Sequence, residues 1–399
     1  MEILQQDAVL LINRFPYWVY TDSGYPFENV EQLCVLQSHE AKFDFPADKY
    51  CAVVICDLNN KDAVDDAIEF FYKNYKFSKI INTTERYMEL AATKRVQYDL
   101  PGMDIEMAKN FRDKISMKNK VKENRIPVPY AEKLSNQKDA ENFVMNYGKS
   151  VIKPIDGMGT KDTFIVNSVS DIPELDFSNH YEIEKFIKGD MYHCDSVVLN
   201  GEVKICSVSR YLNSTLDYSL DGYLASIMID DSYLIEKMRQ FNQQVISALD
   251  FKYGVTHLEV FYDSEEDSIV FCEIGARPGG AGVIPSVKHV YGVDLTETYI
   301  RLQLDEEITI PKAKDTYAGW IVIHKKEGII TEISNEDEFN FDWVLFKNIQ
   351  GKPGDVLKRA DNSVASIADF TIIGDSEKDL ENKVNMLRNR FNFKTIKGE

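Results

Sequence analysis

Residues 256–280, THLEVFYDSEEDSIVFCEIGARPGG, constrain this chain more than any other stretch. Two apolar runs, HLEVFYD and SIVFCEI, flank an acidic turn, the pattern of an antiparallel hairpin. Each run carries a glutamate among apolar neighbours, Glu259 in the first and Glu273 in the second. Pairing about the turn brings the two carboxylates near each other. Either both face solvent on an edge hairpin, or a cation lies between them, because like charges held close force one carboxyl to keep its proton. A hard divalent ion that also takes phosphate oxygens suits the second arrangement, since Mg2+ typically uses one or two carboxylates together with nucleotide oxygens. Arg277, Pro278, Gly279 and Gly280 come next, and a helix is expected over VIPSVKHVYG. The glycines let backbone N–H groups approach an anion, and Arg277 offers a bidentate fork to a carboxylate or phosphoryl group.

The organisation around this hairpin falls into three parts. In the first hundred residues, AVLLINR and CAVVICDL are short Val- and Ile-rich runs that suit buried parallel strands. DAVDDAIEFFYKNY, between CAVVICDL and KIINTTE, has apolar residues at helical spacing, so strand, helix and strand read as a βαβ unit. No GxGxxG follows a strand there, which removes the usual support for a dinucleotide fold. ERYMELAATKRVQYDL and EMAKNFRDKISMKNKVKEN are expected to be two helices separated by PGMD, and IPVP then breaks the chain. A long mixed centre extends to about residue 310. Beyond PKAKD come strand-like AGWIVIHKKEGIITEI, WVLFKNIQGKPGD and IADFTIIG, and a closing helix over DLENKVNMLRNRF. The expected fold class is α/β and α+β, with an α/β start and a small β-rich end.

Three further clusters lie in the centre. SVIKPIDGMGTKDTFIV is a strand ending in Lys153, a loop with Gly157 and Gly159, and a second strand. It is not the P-loop GxxxxGK[ST], and no helix follows it. A lysine at a strand end beside a loop rich in N–H groups can hold nucleotide phosphates, and an ordinary hairpin with a surface lysine fits as well. EKFIKG runs from Glu184 and Lys185 through Phe186 and Ile187 to a break at Gly189. Such a strand edge can offer backbone groups to an adenine, with aliphatic side chains against the ring. RDK places Lys114 at the start of a helix. Either of these last two is also compatible with plain surface.

The order RDK, IPVP, VIKPIDGMGT, EKFIKG, HLEVF and CEIGARPGG resembles the ATP-grasp superfamily over at least residues 110–310. EKFIKGDMYHCDSVV, SRY and CEIGARPGG are most similar to its carboxylate–amine ligase branch, which contains L-amino acid ligases and carnosine-synthase-like enzymes. The resemblance implies a leading α/β domain over 1–110 and an ATP-grasp domain over 111–310 with a glycine-rich lid at about 125–190. It also implies an α+β end over 311–399 like that of biotin-carboxylase-like members. It implies ATP and Mg2+, with Mn2+ able to substitute. Lys114 and Lys153 would contact the phosphates, with the Gly157–Gly159 loop closing over them. Glu184, Lys185 and Ile187 would frame adenine, Lys185 and Ile187 chiefly through backbone. Glu259 and Glu273 would hold the magnesium ions, and Arg277 would steady an acyl phosphate or the substrate carboxylate.

Two positions depart from the family pattern: Gly275 stands where many members have a metal-ligating Asn, and Met191 where many have a ribose-binding Glu, a task that could fall to Asp195. The implied reaction activates an amino acid or other small carboxylate as an acyl phosphate and joins it to an amine. Arg210 and Tyr211 are candidates for gripping either substrate, or else a surface arginine beside a packed tyrosine. His193 and His257 read more readily as hydrogen-bonded structural histidines than as pocket walls. Rival readings are loading onto a carrier-protein thiol, an ATP-binding protein without turnover, and a carboxylase. The carboxylase ranks last because no biotinyl segment is evident. Related ligases also make a homodimer an open expectation. A net charge of −19 argues against a partner such as nucleic acid. No apolar run approaches the roughly 18 residues of a membrane span, and MEILQQDAVLLINRF lacks the layout of a secretory signal. The six cysteines form no CxxC pair and read as reduced, mostly buried thiols of a cytoplasmic protein.

Overall fold

A computed structural model describes residues 8–216, 222–358 and 365–396. The leading part is a four-stranded parallel sheet with strands Ala52–Cys56, Leu33–Ser38, Val9–Asn13 and Lys79–Asn82 in that order. Val9–Asn13 is buried along its whole length, as a parallel strand covered on both faces must be. Helix Lys61–Tyr75 buries Val64, Ala67, Ile68 and Phe71 against one face. On the other face Ile300 and Leu304, at the end of helix Leu295–Gln303, enter the apolar cluster formed by Val9, Leu11 and Ile81. That shared core fixes the leading sheet on the rest of the molecule.

The expected second helix over residues 106–124 is broken in two, Ile105–Asn110 and Lys114–Glu123. Asp104 and Asp113 each cap a new helix, accepting from the N–H groups of Met107 and Ser116 at 2.8 Å. Two N-caps nine residues apart on one chain demand two starts. The second start places Lys114 in the first turn, buried, with its N–H on Ile155 O at 3.1 Å.

Strands Ala131–Leu134, Tyr181–Lys185, Ser150–Pro154 and Phe164–Val166 make a small antiparallel sheet. The strand expected to run on to Gly189 stops at Lys185. Gly189, at φ 132°, lies so close to the Tyr262 backbone that a Cβ would come within 2.6 Å of Tyr262 O. The chain turns there into strand Asp190–Leu199.

The largest sheet has eight antiparallel strands, beginning Ser268–Gly275, Tyr253–Asp263, Asp190–Leu199, Glu202–Tyr211 and Tyr223–Met228. Tyr317–His324, Ser366–Gly374 and Val344–Ile349 continue it, so strands on both sides of residue 311 share one hydrogen-bonded sheet. Helices Lys114–Glu123 and Ser232–Ala248 bury apolar faces together with the Ser268–Gly275 end of that sheet. A three-stranded sheet, Val356–Leu357, Gly328–Ile333 and Phe393–Ile396, and helix Glu377–Arg390 complete the end of the chain. Cys34, Cys194, Cys206 and Cys272 are buried, Cys56 is half-buried and Cys51 is exposed; all are free thiols. No helix among the described residues is long and apolar enough to cross a membrane.

Candidate active site

A cleft of about 390 Å3 separates the small antiparallel sheet from one end of the large one. Lys114, Lys153, Gly157, Gly159, Glu184, Lys185, Ile187, Arg210, Glu259 and Glu273 all line it. Arg277, Gly279 and Gly280 do not belong to its wall.

Glu259 and Glu273 are direct register partners on adjacent strands. Directly opposed residues put their Cβ atoms about 4.5–5.5 Å apart on one face, so the hairpin turns both carboxylates to the same side. Glu259 Oε1 accepts from Tyr211 Oη at 2.8 Å and lies 3.6 Å from His257 Nε2. Glu273 lies 3.3 Å from Lys114 Nζ. Burial pushes the Glu273 pKa up, but the Lys114 and Lys153 ammonium groups outweigh it and hold the carboxyl at about 2. Glu273 is therefore an anion at neutral pH, and two oxygen-donor side chains face a cleft shared with two lysines.

Beneath this pair sits a buried ionic quartet. Lys118 contacts both Glu182 and Glu184, the latter at 2.6 Å, and Lys153 reaches Glu184 at 2.7 Å and Glu182 at 3.7 Å. Every member is less than a tenth exposed. Burial opposes the charge on Glu184, and Lys118 and Lys153 reverse that, leaving its pKa below the ordinary value. For Lys153 burial again opposes the charge, and the surrounding acids, Glu184 foremost, raise its pKa well above the ordinary lysine value. Lys114 Nζ also donates to Gly157 O at 2.8 Å, which ties the glycine loop to the helix start. In that loop Gly159, Thr160 and Asp162 all have φ near +60°, a conformation that a β-branched threonine adopts only at a cost.

Along the expected adenine edge, the N–H groups of Lys185 and Phe186 bond to Tyr130 O and Lys149 O at 2.9 and 3.1 Å. The Lys185 side chain is exposed and lies over the Tyr147 ring. Ile187 is half-buried.

Arg277 is anchored by Glu85, which follows strand Lys79–Asn82 of the leading sheet. Its Nε donates to Glu85 Oε2 at 2.6 Å, while Arg112 Nη1 donates to Glu85 Oε1 at 2.7 Å. Burial would raise the Glu85 pKa, and the two guanidiniums lower it below the ordinary value. Arg277 Nη1 is taken up by Pro278 O. Arg210 lines the cleft with its guanidinium engaged by Glu377, at 2.6 and 3.0 Å. Tyr211 is half-buried in the cleft wall, and burial of its hydroxyl together with Glu259 raises its phenol pKa well above the ordinary value.

His193, Asp195 and His257 form the one group of three His, Cys, Asp or Glu side chains among the described residues close enough to hold an ion. Their ligand atoms are already matched by hydrogen bonds: Asp195 meets His193 Nδ1 at 2.6 Å and His257 Nδ1 at 2.8 Å. Burial would lower the His257 pKa, but Asp195 more than compensates and lifts it to about 9. Gly279 packs on this group, where a Cβ would fall 2.6 Å from Asp195 Oδ1 and 2.9 Å from His257 Nδ1.

Lys118, Glu182 and Glu85 were not anticipated from the sequence. The alternation in YEIEK was a usable signal, since Glu182 and Glu184 at i and i+2 share one strand face. Nothing local marks Glu85, which lies 27 residues from Arg112 and 192 from Arg277.

Residues 111–281 match the ATP-grasp domain family. An L-arginine-specific L-amino acid ligase of Bacillus subtilis is 23% identical over 330 residues, 79% of each chain. Among solved structures, an L-amino acid ligase from Bacillus licheniformis superposes with TM-score 0.80 at 17% identity, covering 99% of this chain and 100% of that one. The N5-carboxyaminoimidazole ribonucleotide synthetase of Thermotoga maritima superposes with TM-score 0.70 at 14% identity, covering 98% of this chain and 100% of that one.

Proposed function

We propose that this chain, whose residues 111–281 match the ATP-grasp domain family, is a carboxylate–amine ligase that activates an amino acid or another small carboxylate as an acyl phosphate and joins it to an amine. The observation that carries this reading is the opposition of Glu259 and Glu273 across a cleft shared with Lys114 and Lys153. Two carboxylates with adjacent phosphate-binding lysines are the donor set of a Mg2+–nucleotide site. Glu259 and Glu273 would hold the ion, which supplies neutralisation of triphosphate charge when bound.

The chain's own part is positioning. Lys114 and Lys153 hold the phosphates, the Gly157–Gly159 loop covers them, and the edge at Lys185 and Ile187 takes the adenine. A carboxylate oxygen of the first substrate attacks the γ-phosphorus, the bond to the β–γ bridging oxygen breaks, and ADP leaves. The amine then attacks the acyl carbon, phosphate departs, and the amine loses a proton to give the amide. Phosphoryl transfer of this type requires alignment and charge neutralisation and no side-chain nucleophile. Arg277, held through Nε by Glu85, keeps Nη2 without a hydrogen bond among the described residues, and from outside the cleft wall it would offer that nitrogen to the reacting oxygens once substrates are bound. Excluding water is the task of the glycine loop, because an acyl phosphate hydrolyses readily. In this reading residues 1–110, 111–310 and 311–399 are three domains, and the substrates meet where the first two face each other.

The test is ADP release over all amino acids, singly and in pairs, with hydroxylamine present to trap the activated acid. Glu273→Gln, which keeps the side chain's size, should lower ADP formation about 100-fold or more, the scale of losing one electrostatic stabiliser of a developing charge. Wild-type ADP release without any hydroxamate, or a Glu273→Gln variant within about tenfold of wild type, would overturn the proposal.

A further inference from the structure

A second cavity, of about 420 Å3, lies between the leading sheet and the ATP-grasp core and has no wall residue in common with the nucleotide cleft. No step of the ligase reaction uses it. We infer that it is a binding site for a small monocarboxylate with an apolar body, whose carboxylate is received by Arg95 and Tyr299.

Arg95 lies on helix Met88–Gln97 and is only 5% exposed. Its Nε and Nη2 donate to one carbonyl, Ile80 O, at 3.0 and 2.7 Å, and Nη2 also reaches Gln303 Oε1 at 3.3 Å. Nη1 has a single contact, to Met103 O at 3.5 Å. No carboxylate among the described residues lies within ion-pairing distance of it, in contrast to Arg112 and Arg277, which share Glu85. Burying a guanidinium without a counter-charge is costly, and burial duly pulls the Arg95 pKa below the ordinary arginine value. The two carboxylates in the wall are committed elsewhere: Asp104 caps a helix through Met107 N–H, and Asp305 pairs with Lys79 at 3.0 Å. Lys252, the other cation of the wall, pairs with Asp250, so Arg95 is the cation in the wall left without a carboxylate at ion-pairing distance among the described residues.

Tyr299 is the second donor. It is 7% exposed, and its Oη has no hydrogen-bond partner among the described residues. Burial raises its pKa to about 12, so it remains an O–H donor at neutral pH. The remaining wall is largely apolar, with Met103, Met107, Phe251 and Leu302 prominent. A volume in the range of small-molecule sites, lined by apolar side chains with few convergent polar groups, suits an organic ligand far better than a few waters. One poorly satisfied guanidinium edge and one phenol match the two oxygens of a carboxylate, whereas a phosphate needs more donors. Gly102 makes the approach possible: at φ 121°, a Cβ there would press on Arg95 Cδ and Nε at 3.0 Å.

The test is calorimetric titration of the full chain, saturated with ADP and Mg2+, using phenylacetate and, in parallel, uncharged phenylacetamide. Phenylacetate should bind, and phenylacetamide should bind roughly tenfold or more weakly, the scale of one charge-assisted hydrogen bond. Arg95→Gln should abolish the preference for the acid. Because Arg95 also ties down Ile80, Met103→Trp provides a second variant that fills the cavity without touching the guanidinium, and it should remove binding while thermal unfolding stays cooperative. Arg277→Ala, outside the cavity, should bind phenylacetate like wild type. Equal binding of acid and amide, unchanged affinity in Met103→Trp, loss of binding in Arg277→Ala, or no heat from phenylacetate would each overturn the assignment. The readout is binding alone, so it stands or falls separately from the ligase reaction.

Discussion

Removing the Lys118 ammonium is the most informative single perturbation of the buried ionic quartet. In Lys118→Met the chain length is nearly kept, and Lys153 alone faces Glu182 and Glu184, at 3.7 and 2.7 Å. Breaking a buried pair by deleting one partner costs about 3–5 kcal/mol, most of it the penalty of an uncompensated charge. Protonation sets a ceiling on that penalty, since Glu184 can escape by taking up a proton. From the ordinary glutamate value of 4.5, each pH unit adds about 1.4 kcal/mol to the price of doing so. At pH 7.5 the ceiling is about 4 kcal/mol, and at pH 5.5 about 1.4 kcal/mol. The sign follows directly: a carboxyl whose folded pKa is raised above its unfolded value destabilises progressively as pH climbs past the unfolded value. It stops doing so once the folded pKa is passed. Urea unfolding of wild type and Lys118→Met at the two pH values measures the difference. The expected loss is about 3–4 kcal/mol at pH 7.5, shrinking below about 1.5 kcal/mol at pH 5.5. A loss under about 1 kcal/mol at pH 7.5, or one that does not change with pH, would show that the quartet is not closed to solvent and would refute the reasoning.

Two further substitutions probe the histidine group beneath Glu259. Gly279→Ala inserts a methyl where Asp195 Oδ1 and His257 Nδ1 already stand, and should cost about 1–3 kcal/mol by overpacking and lower ADP formation; unchanged unfolding would show that the segment moves aside freely. His257, lifted to about 9, contributes stability that is fully present below the ordinary histidine value of 6.5 and is lost as pH rises through 9. Asp195→Asn removes the carboxylate that lifts it, so its stability should change less than that of wild type between those pH values; parallel slopes in thermal unfolding would refute that attribution.

How much of the site was legible in the sequence depended on how far apart in the chain its partners lie. Glu259 and Glu273 could be paired because a short hairpin fixes register, and register fixes which face a side chain takes. Lys114 was legible as a helix start, and the Asp113 cap that makes it one is its neighbour. Lys153 could be placed at a strand end, but the two glutamates that hold it came from a strand assigned to a different task. Glu184 lines the cleft with its carboxylate turned onto lysines. The same contrast holds for Arg210, whose partner Glu377 is 167 residues away. The break at Gly189 was legible, but its cause, a backbone pressed on that of Tyr262, was not, and the strand end at Lys185 and the helix split at Asp113 were missed.

The sequence alone determined the strand–helix–strand unit of the leading part, the opposed carboxylates, the glycine loop between two strands and the family they resemble, because each rests on local propensity or on pairing across a short turn. Tertiary structure alone decided which cations compensate which buried acids, that Glu85 holds Arg277 from 192 residues away, and that Arg95 is left without a counter-charge beside a cavity. Those outcomes depend on which distant surfaces exclude water from each other, and a charge's energy inside a protein is set by its neighbours in space.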